Sequence, residues 1–239
     1  MAAGTAALVP AAVDAGLAAS WLAAIEPIYC SARHGEGSAA GFDPYSSSLR
    51  MAALPAPVLG DVVAAVFRDR IAAECHAALG AAVVCATDHC WARRQYPRDR
   101  YPARHAAHRW HQDGALAFDF AAAPRAGSEG DLLTMLTCWI ALTPCGDDAP
   151  GLEWPDRASA TLLPVARLDD AAVAVDLAGV DYHRPVMAAG DALVFGGGLL
   201  HRTHVTASMS RQRTSVELRF FDASRLHARM RGWRLMALH

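Results

Sequence analysis

Short apolar segments, separated by glycine, proline and aspartate, fill the chain after residue 80, and they restrict its fold more than any other feature. They are rich in β-branched and aromatic residues, which favour strands. The strand candidates are AAVVCATDHCWARRQY, DLLTMLTCWIALTP, ATLLPV, AAVAVDL, DALVFGG, LLHRTHVT and RTSVELRFFD. Many short strands between frequent turns are typical of an all-β barrel or sandwich, so we expect a mainly β fold here.

The sequence before residue 80 has a different period. The run VDAGLAASWLAAIEPIY and the run from Val58 to Leu79 place apolar residues at helical spacing. Between them, the Gly- and Ser-rich stretch 34–48 predicts a loop, which is a candidate lid. No segment has the composition of a linker. We therefore expect one domain over 1–239, in which a largely helical layer, 1–80, supports a β-barrel core, 81–239.

Composition excludes several kinds of site. All 22 basic residues are arginine, so Schiff-base and P-loop lysines are excluded, and the formal charge of -2 does not predict binding to nucleic acid. The Ala- and Arg-rich composition is typical of a GC-rich bacterial genome.

Six cysteines without a C-x-x-C pair predict no zinc ribbon and favour a reduced, cytoplasmic protein. Asp14 and Glu26 interrupt the apolar N-terminus, which argues against a signal peptide and a membrane span.

The run HRWHQDGALAFDF, residues 108–120, predicts a strand that carries metal ligands. Residues two apart in a strand share a face, so His111 and Asp113 would offer an imidazole nitrogen and a carboxylate oxygen to one ion. Gly114 would allow another group to approach the backbone closely. A chance pair at the surface is the alternative interpretation.

A second motif, GDALVFGGGLLHRTHVTASMSRQRTSVELRFF, follows about ninety residues on. It predicts a turn at 190–191 into a strand that ends at Phe195, and then a second strand that carries His201 and Thr203 on one face. Two histidines and one carboxylate form the facial triad of non-haem Fe(II) oxygenases. An arginine downstream of the second histidine is what the distal carboxylate of 2-oxoglutarate would need.

Together these blocks resemble the phytanoyl-CoA dioxygenase family of Fe(II)/2-oxoglutarate oxygenases. WHQDG, LTCWIALTP, GDALVFGGGLLH and HRTHVTASMSRQRTSVELRF follow its motifs in order and spacing. The resemblance implies a double-stranded β-helix, or jelly-roll, fold and dioxygen as a reactant. It implies three Fe(II) ligands, His111, Asp113 and His201. It also implies a 2-oxoglutarate pocket made by Arg213, by Thr203 as a second carboxylate contact and by Trp139 as a wall.

Several residues compete for these roles. His204 is three residues beyond His201 and should face the other way. The family's spacing favours His201, and it favours Arg213 over Arg211. His105 and His108 lack a carboxylate two residues on and are expected at the surface or near the substrate, while Trp139 is almost as easily a core residue. The segment CGDDAPGLEWPDRASATLLP lacks the family's Ser-His, which leaves its substrate contacts open.

Charged residues near the motifs have two interpretations each. Six arginines lie between residues 93 and 109. A solvated loop is favoured, and the alternative is that Arg93 or Arg94 attracts an anionic substrate. In an extended run, Arg213, Ser215, Glu217 and Arg219 share one face. Glu217 and Arg219 would then pair with each other, or one of them would contact a polar substrate.

The implied reaction is hydroxylation of a small molecule, an amino-acid derivative or a biosynthetic intermediate, with release of succinate and CO2. Related halogenases have a small residue in place of the carboxylate ligand, so Asp113 favours hydroxylation or another oxidation. Two alternatives stay open. One is an Fe(II) oxygenase or lyase that does not use 2-oxoglutarate, and the other is a non-catalytic barrel that binds a small ligand.

Overall fold

The computed structural model describes residues 6–33, 42–43, 47–54, 56–102, 105–115, 132–157, 161–164 and 167–238. The candidate lid, 34–48, lies mostly outside these residues. So does the end of the HRWHQDGALAFDF run, from residue 116 onward.

Two antiparallel sheets form the centre of the fold. Their strands are β1 (Ala6–Val9), β2 (Phe42–Asp43), β3 (Ser48–Arg50), β4 (Val83–Ala86), β5 (Trp91–Gln95), β6 (His111–Gln112), β7 (Met135–Ala141), β8 (Gly151–Pro155), β9 (Tyr182–His183), β10 (Ala192–Gly196), β11 (Leu200–His204), β12 (Arg213–Asp222) and β13 (Leu235–Ala237). The large sheet has the order β1-β10-β7-β12-β5-β3-β2, and β4 joins it between β12 and β13. The small sheet has the order β6-β11-β8-β9. The predicted mainly β, jelly-roll fold is confirmed.

The helices of the described chain are α1 (Ala15–Arg33), α2 (Ala56–Val66), α3 (Asp69–Leu79) and α4 (Asp170–Asp176). The first three pack on the outer face of the large sheet, where they share one apolar core with the strands. Strand β12 shows why this sheet has two different faces. Val216, Leu218 and Phe220 belong to the helix-side core. The residues between them are polar and turn toward the small sheet, because side chains alternate along a strand.

The predicted helix from Val58 to Leu79 is two helices. Arg68 has an extended backbone, and the φ angle of Asp69 is 44°, so the chain changes direction between α2 and α3. The break lets both helices bury their apolar faces in the same core, with Val63 on one and Ile71 on the other.

The prediction of a strand at AAVAVDL is wrong, because this run forms α4. Asp169 caps the helix by accepting hydrogen bonds from the N–H groups of the second and third residues after it. Val173 and Leu177, one helical turn apart, are buried, whereas Val175 is 78% exposed. The candidate strand ATLLPV is also wrong, since its described residues, 161–164, have no strand.

The predicted turn before β10 is confirmed, and it ties the N-terminal strand to the sheet. Gly190 has a φ of 92°, and a Cβ atom there would lie 2.1 Å from the carbonyl oxygen of Val13. The Asp191 carboxylate accepts hydrogen bonds from the N–H groups of Ala11 and Ala188. Along the described chain, no helix combines the length and apolarity that a bilayer span requires.

Candidate metal centre and pocket

Three side chains of the predicted site meet between the two sheets. His111 on β6 and His201 on β11 are paired across neighbouring strands, and their ring centroids are 4.2 Å apart. Asp113 follows β6 directly, and one potential ligand atom from each of the three residues lies within 4.8 Å of the other two. The prediction that His111 and Asp113 share one face of a strand is wrong in one respect, because Asp113 is not in the strand. Strand β6 ends at Gln112, and a 3-10 turn, Asp113–Ala115, directs the carboxylate toward the histidines.

Hydrogen bonds to the backbone fix the same tautomer in both histidines. The Nδ1 atom of His111 is 2.6 Å from the carbonyl oxygen of Arg109, and that of His201 is 2.9 Å from the carbonyl oxygen of Leu199. A carbonyl only accepts, so each Nδ1 is the donor, and Nε2 is the nitrogen that each neutral ring would offer to a metal. Neutral imidazoles oriented in this way are the usual form of a histidine metal ligand.

The Asp113 carboxylate is held at both oxygens and stays ionised. Thr137 donates its hydroxyl to Oδ2 at 2.6 Å, and Arg219 donates to Oδ1 at 3.0 Å. Burial acts to raise the pKa of Asp113, but the Arg219 guanidinium and the two histidines outweigh it and lower that pKa well below its ordinary value. Burial, together with neighbouring His201, lowers the pKa of His111 to about 4. At neutral pH the cluster therefore offers a carboxylate and a neutral imidazole.

Gly114 has the role that its position predicts. Its N–H donates to the carbonyl oxygen of Gly197 at 2.8 Å. A Cβ atom at residue 114 would lie 2.9 Å from that oxygen and 2.5 Å from the side chain of Leu132. The turn that carries Asp113 can therefore lie against the loop before β11 only because residue 114 has no side chain.

A pocket extends from the three residues to Arg213. Its walls come from both sheets, and the lining residues are Arg93, Gln95, His108, His111, Asp113, Trp139, Leu152, Phe195, His201, Thr203, Arg213 and Glu217. Strands β5, β7, β10, β11 and β12 supply most of them, through side chains that alternate toward the interior.

Arg213 is a buried cation without a carboxylate partner among the described residues. Its Nε donates to the carbonyl oxygen of Pro150 at 3.2 Å, and its Nη1 donates to the Ser215 hydroxyl at 2.6 Å. Its guanidinium lies 4.8 Å from the ring centroid of Trp139, and burial lowers the pKa of Arg213 to about 10. Arg211, the alternative, is exposed and does not line the pocket.

Trp139 and Thr203 both line the pocket, and Trp139 lies against Arg213. Trp139 is 2% exposed, and its indole Nε1 is buried without a hydrogen-bond partner among the described residues. A buried donor of this kind is normally satisfied by a ligand or by water. Trp139 is thus a core residue that also lines the pocket, and its role as a wall of a 2-oxoglutarate site stays a prediction.

A chain of buried ion pairs runs along one side of the pocket, and sequence reasoning identified it only in part. Arg93 pairs with Glu217 at 2.6 Å, and Glu217 contacts Arg219 at 3.5 Å. The Nη1 of Arg93 also donates to Nε2 of His108 at 2.7 Å and to the Ser48 hydroxyl at 2.9 Å. The shared face of β12 predicted the Glu217–Arg219 pair, but Arg93 comes from β5.

The solvated-loop interpretation of the arginine-rich segment is wrong for its first two members. Arg93 lines the pocket, and Arg94 is buried on the helix side, where it pairs with Glu26 and lies over the Tyr29 ring. Arg98 and Arg100 form an exposed 3-10 turn, as expected of a solvated loop. Arg93 and Arg94 are consecutive residues of β5, so their side chains point to opposite faces of the large sheet and have different surroundings.

The remaining histidine candidates do not join the cluster. His204 faces away from the pocket, and its Nδ1 lies 3.4 Å from Glu153. His105 is buried, hydrogen-bonds the Ser47 hydroxyl, and has its pKa lowered to about 4, mainly by burial. His108 lines the pocket beside His111, with ring centroids 5.4 Å apart, and burial lowers its pKa well below the ordinary value. His108 is thus a pocket-lining residue, whereas the buried His105 is not at the surface and does not line the pocket.

Comparison with known proteins shows the fold. No protein-family model and no curated protein matches the chain. SnoN, a non-haem alpha-ketoglutarate-dependent epimerase from nogalamycin biosynthesis, is 20% identical, with a TM-score of 0.58 over 92% of this chain and 78% of that one. EctD from S. alaskensis, solved with 2-oxoglutarate and 5-hydroxyectoine, is 18% identical, with a TM-score of 0.66 over 94% and 74%.

HygX from Streptomyces hygroscopicus, solved with nickel and 2-oxoglutarate, is 14% identical, with a TM-score of 0.58 over 92% of this chain and 83% of that one. At these identities the likeness establishes a common jelly-roll architecture. The resemblance to the phytanoyl-CoA dioxygenase family stays a prediction from the motifs.

Proposed function

We propose that this protein is an Fe(II)/2-oxoglutarate-dependent dioxygenase that hydroxylates a small molecule and releases succinate and CO2. The observation that carries the proposal is one pocket with a different binding group at each end. His111, Asp113 and His201 converge at one end. The guanidinium of Arg213, which has no carboxylate partner in the described chain, is at the other.

The donor set fits iron. Two imidazoles and one carboxylate, all from one side, are the ligands of the facial triad, and they leave coordination positions open. Each histidine directs Nδ1 to a backbone carbonyl, which leaves Nε2 for a metal, and both carboxylate oxygens are oriented by neighbours. We propose His111, Asp113 and His201 as the metal ligands. When bound there, Fe(II) and 2-oxoglutarate would supply the activation of dioxygen.

The far end of the pocket fits a carboxylate. Arg213 is held rigidly by the Pro150 carbonyl and the Ser215 hydroxyl, so its position is fixed before a ligand arrives. We propose that it binds the distal carboxylate of 2-oxoglutarate and that Thr203 contacts the same group. Trp139 forms the wall, and its indole N–H is a further donor. Leu152 and Phe195 exclude water from the space between.

The proposed substrate is a small molecule, an amino-acid derivative or a biosynthetic intermediate. Solved proteins of this architecture include the SnoK carbocyclase and the SnoN epimerase, both from nogalamycin biosynthesis, so the fold serves several reactions. The Asp113 carboxylate supports hydroxylation over halogenation. The cationic side chains in the pocket wall, Arg93 above all, favour a substrate with an anionic group.

Anaerobic titration with Fe(II) and then 2-oxoglutarate tests the proposal. We expect a weak visible charge-transfer band in the wild type and its loss in Arg213→Ala, because the co-substrate loses its carboxylate partner. Arg211→Ala is the matched control and should keep the band, since Arg211 lies outside the pocket. Iron binding without a band in the wild type would refute the use of 2-oxoglutarate and favour an oxygenase or lyase that does not need it.

A further inference from the structure

The pocket and the ion-pair chain beside it together contain more positive than negative charge. Arg93, Arg213 and Arg219 are three guanidinium groups, and Asp113 and Glu217 are the two carboxylates among them. One positive charge is therefore left over. Binding a divalent metal and the dianion 2-oxoglutarate, as proposed above, adds no net charge and leaves this excess unchanged.

The ion pairs show where the unbalanced positive charge lies. In the proposed complex the Asp113 carboxylate is committed to the metal, and Arg213 to the co-substrate. Arg93 and Arg219 then share the single carboxylate of Glu217, which already contacts both, at 2.6 Å and 3.5 Å. A buried charge without a counter-ion is costly, so the pocket stabilises a ligand that supplies a negative charge at this place.

Arg93 is the member of this pair that a ligand can reach. Its side chain lines the pocket and is 11% exposed, whereas that of Arg219 is 3% exposed. Its described partners use Nε and Nη1: the Glu217 carboxylate, the Ser48 hydroxyl and the His108 ring. No described residue hydrogen-bonds its Nη2. The guanidinium is thus held in place with one nitrogen left for a ligand.

We infer that Arg93 binds an acidic group of the substrate and that the enzyme selects small molecules with one negative charge at this position. The inference rests on the proposed function. Arginine suits this role because its rigid planar group binds carboxylates and phosphates through charge-assisted hydrogen bonds. The His108 ring lies between Arg93 and His111, so the acidic group would bind close to the metal ligands.

Trifluoroacetate is a minimal anionic probe for this site. We would add it to the anaerobic Fe(II)-loaded protein with saturating 2-oxoglutarate and measure its fluorine NMR linewidth. Paramagnetic iron broadens the signal of a probe that binds nearby, and the zinc-loaded protein gives the diamagnetic baseline. We expect broadening with trifluoroacetate and none with neutral trifluoroacetamide. Arg93→Gln should weaken binding about tenfold or more, the value of a charge-assisted hydrogen bond.

The controls separate this inference from the proposed function. Arg93→Lys keeps the charge and should retain part of the broadening, which guards against a folding defect in Arg93→Gln. Arg98→Gln, in the exposed turn, should behave as the wild type. Equal broadening by trifluoroacetamide, no broadening in the wild type, or broadening that Arg213→Gln removes and Arg93→Gln does not, would each overturn the inference. If only the charge-transfer band is absent, 2-oxoglutarate binding is refuted. The fluorine linewidth of trifluoroacetate still reports on binding at Arg93.

Discussion

At the scale of single residues, the metal centre depends on side chains that hold its ligands. Thr137 on β7 and Arg219 on β12 are direct cross-strand partners, and each binds one oxygen of Asp113. They fix the plane of the carboxylate and leave it one direction in which to meet a metal ion. Partners of this kind typically contribute a factor of about 10 to 100 in metal affinity.

Thr137→Val tests this role, because it removes the hydroxyl and keeps the shape of the side chain. We expect Fe(II) affinity to fall about tenfold in anaerobic titration, since the carboxylate loses one of its two orienting bonds. Thr214→Val is the matched control. Thr214 is equally buried, and its hydroxyl accepts a hydrogen bond from Arg94 on the helix side of the sheet. Unchanged affinity in Thr137→Val would show that Arg219 alone orients the carboxylate.

The sequence predicts the residues of the site that lie in local motifs and misses most of those that depend on strand pairing. His111, Asp113, His201 and Arg213 lie at fixed short spacings within two motifs, and they do converge on one pocket. Thr137 carries no such signal. It reaches Asp113 only through the register of β7 against β12, which a single sequence does not specify.

At the scale of elements, α4 shows where a short apolar run misleads. Periodicity does not distinguish a strand from a buried helix in so short an apolar run, and the strand-like length and the valines of AAVAVDL favour a strand. The capping residue Asp169 lies just outside the run, and it decides for a helix by binding the first free N–H groups. The sequence does not predict strand β8, because glycine, proline and a buried glutamate interrupt its apolar pattern.

Two substitutions in α4 distinguish a helix from a strand. Val173 is 2% exposed and packs with Trp110 and Leu200, whereas Val175, two residues on, is 78% exposed. Val173→Ala should lower the free energy of unfolding by about 2 kcal/mol, through lost burial and the cavity left behind. Val175→Ala should be neutral or slightly stabilising, because alanine has the higher helix propensity. If both substitutions lower the free energy of unfolding equally in urea denaturation, both valines lie on one buried strand face.

At the scale of the whole molecule, the helical layer and the large sheet share a single apolar core. Trp21 of α1, Ile71 of α3 and Phe220 of β12 belong to the same buried cluster. Neither layer covers its apolar face without the other. We therefore propose that the chain is one domain, 1–239, in which the helices support the sheet that carries the pocket.

A single domain of this kind should unfold in one step, and tryptophan positions make this measurable. Trp21 is the only tryptophan before residue 80, so in Trp21→Phe the fluorescence reports the β part while circular dichroism at 222 nm is weighted toward the helices. We expect coincident urea transitions from the two probes. Adding Ile71→Ala, a cavity in α3, should lower the unfolding free energy by about 2–5 kcal/mol in both signals alike. If the fluorescence transition stays in place while the helical signal moves, the layers are separate folding units, and the pocket does not depend on the helices for its stability.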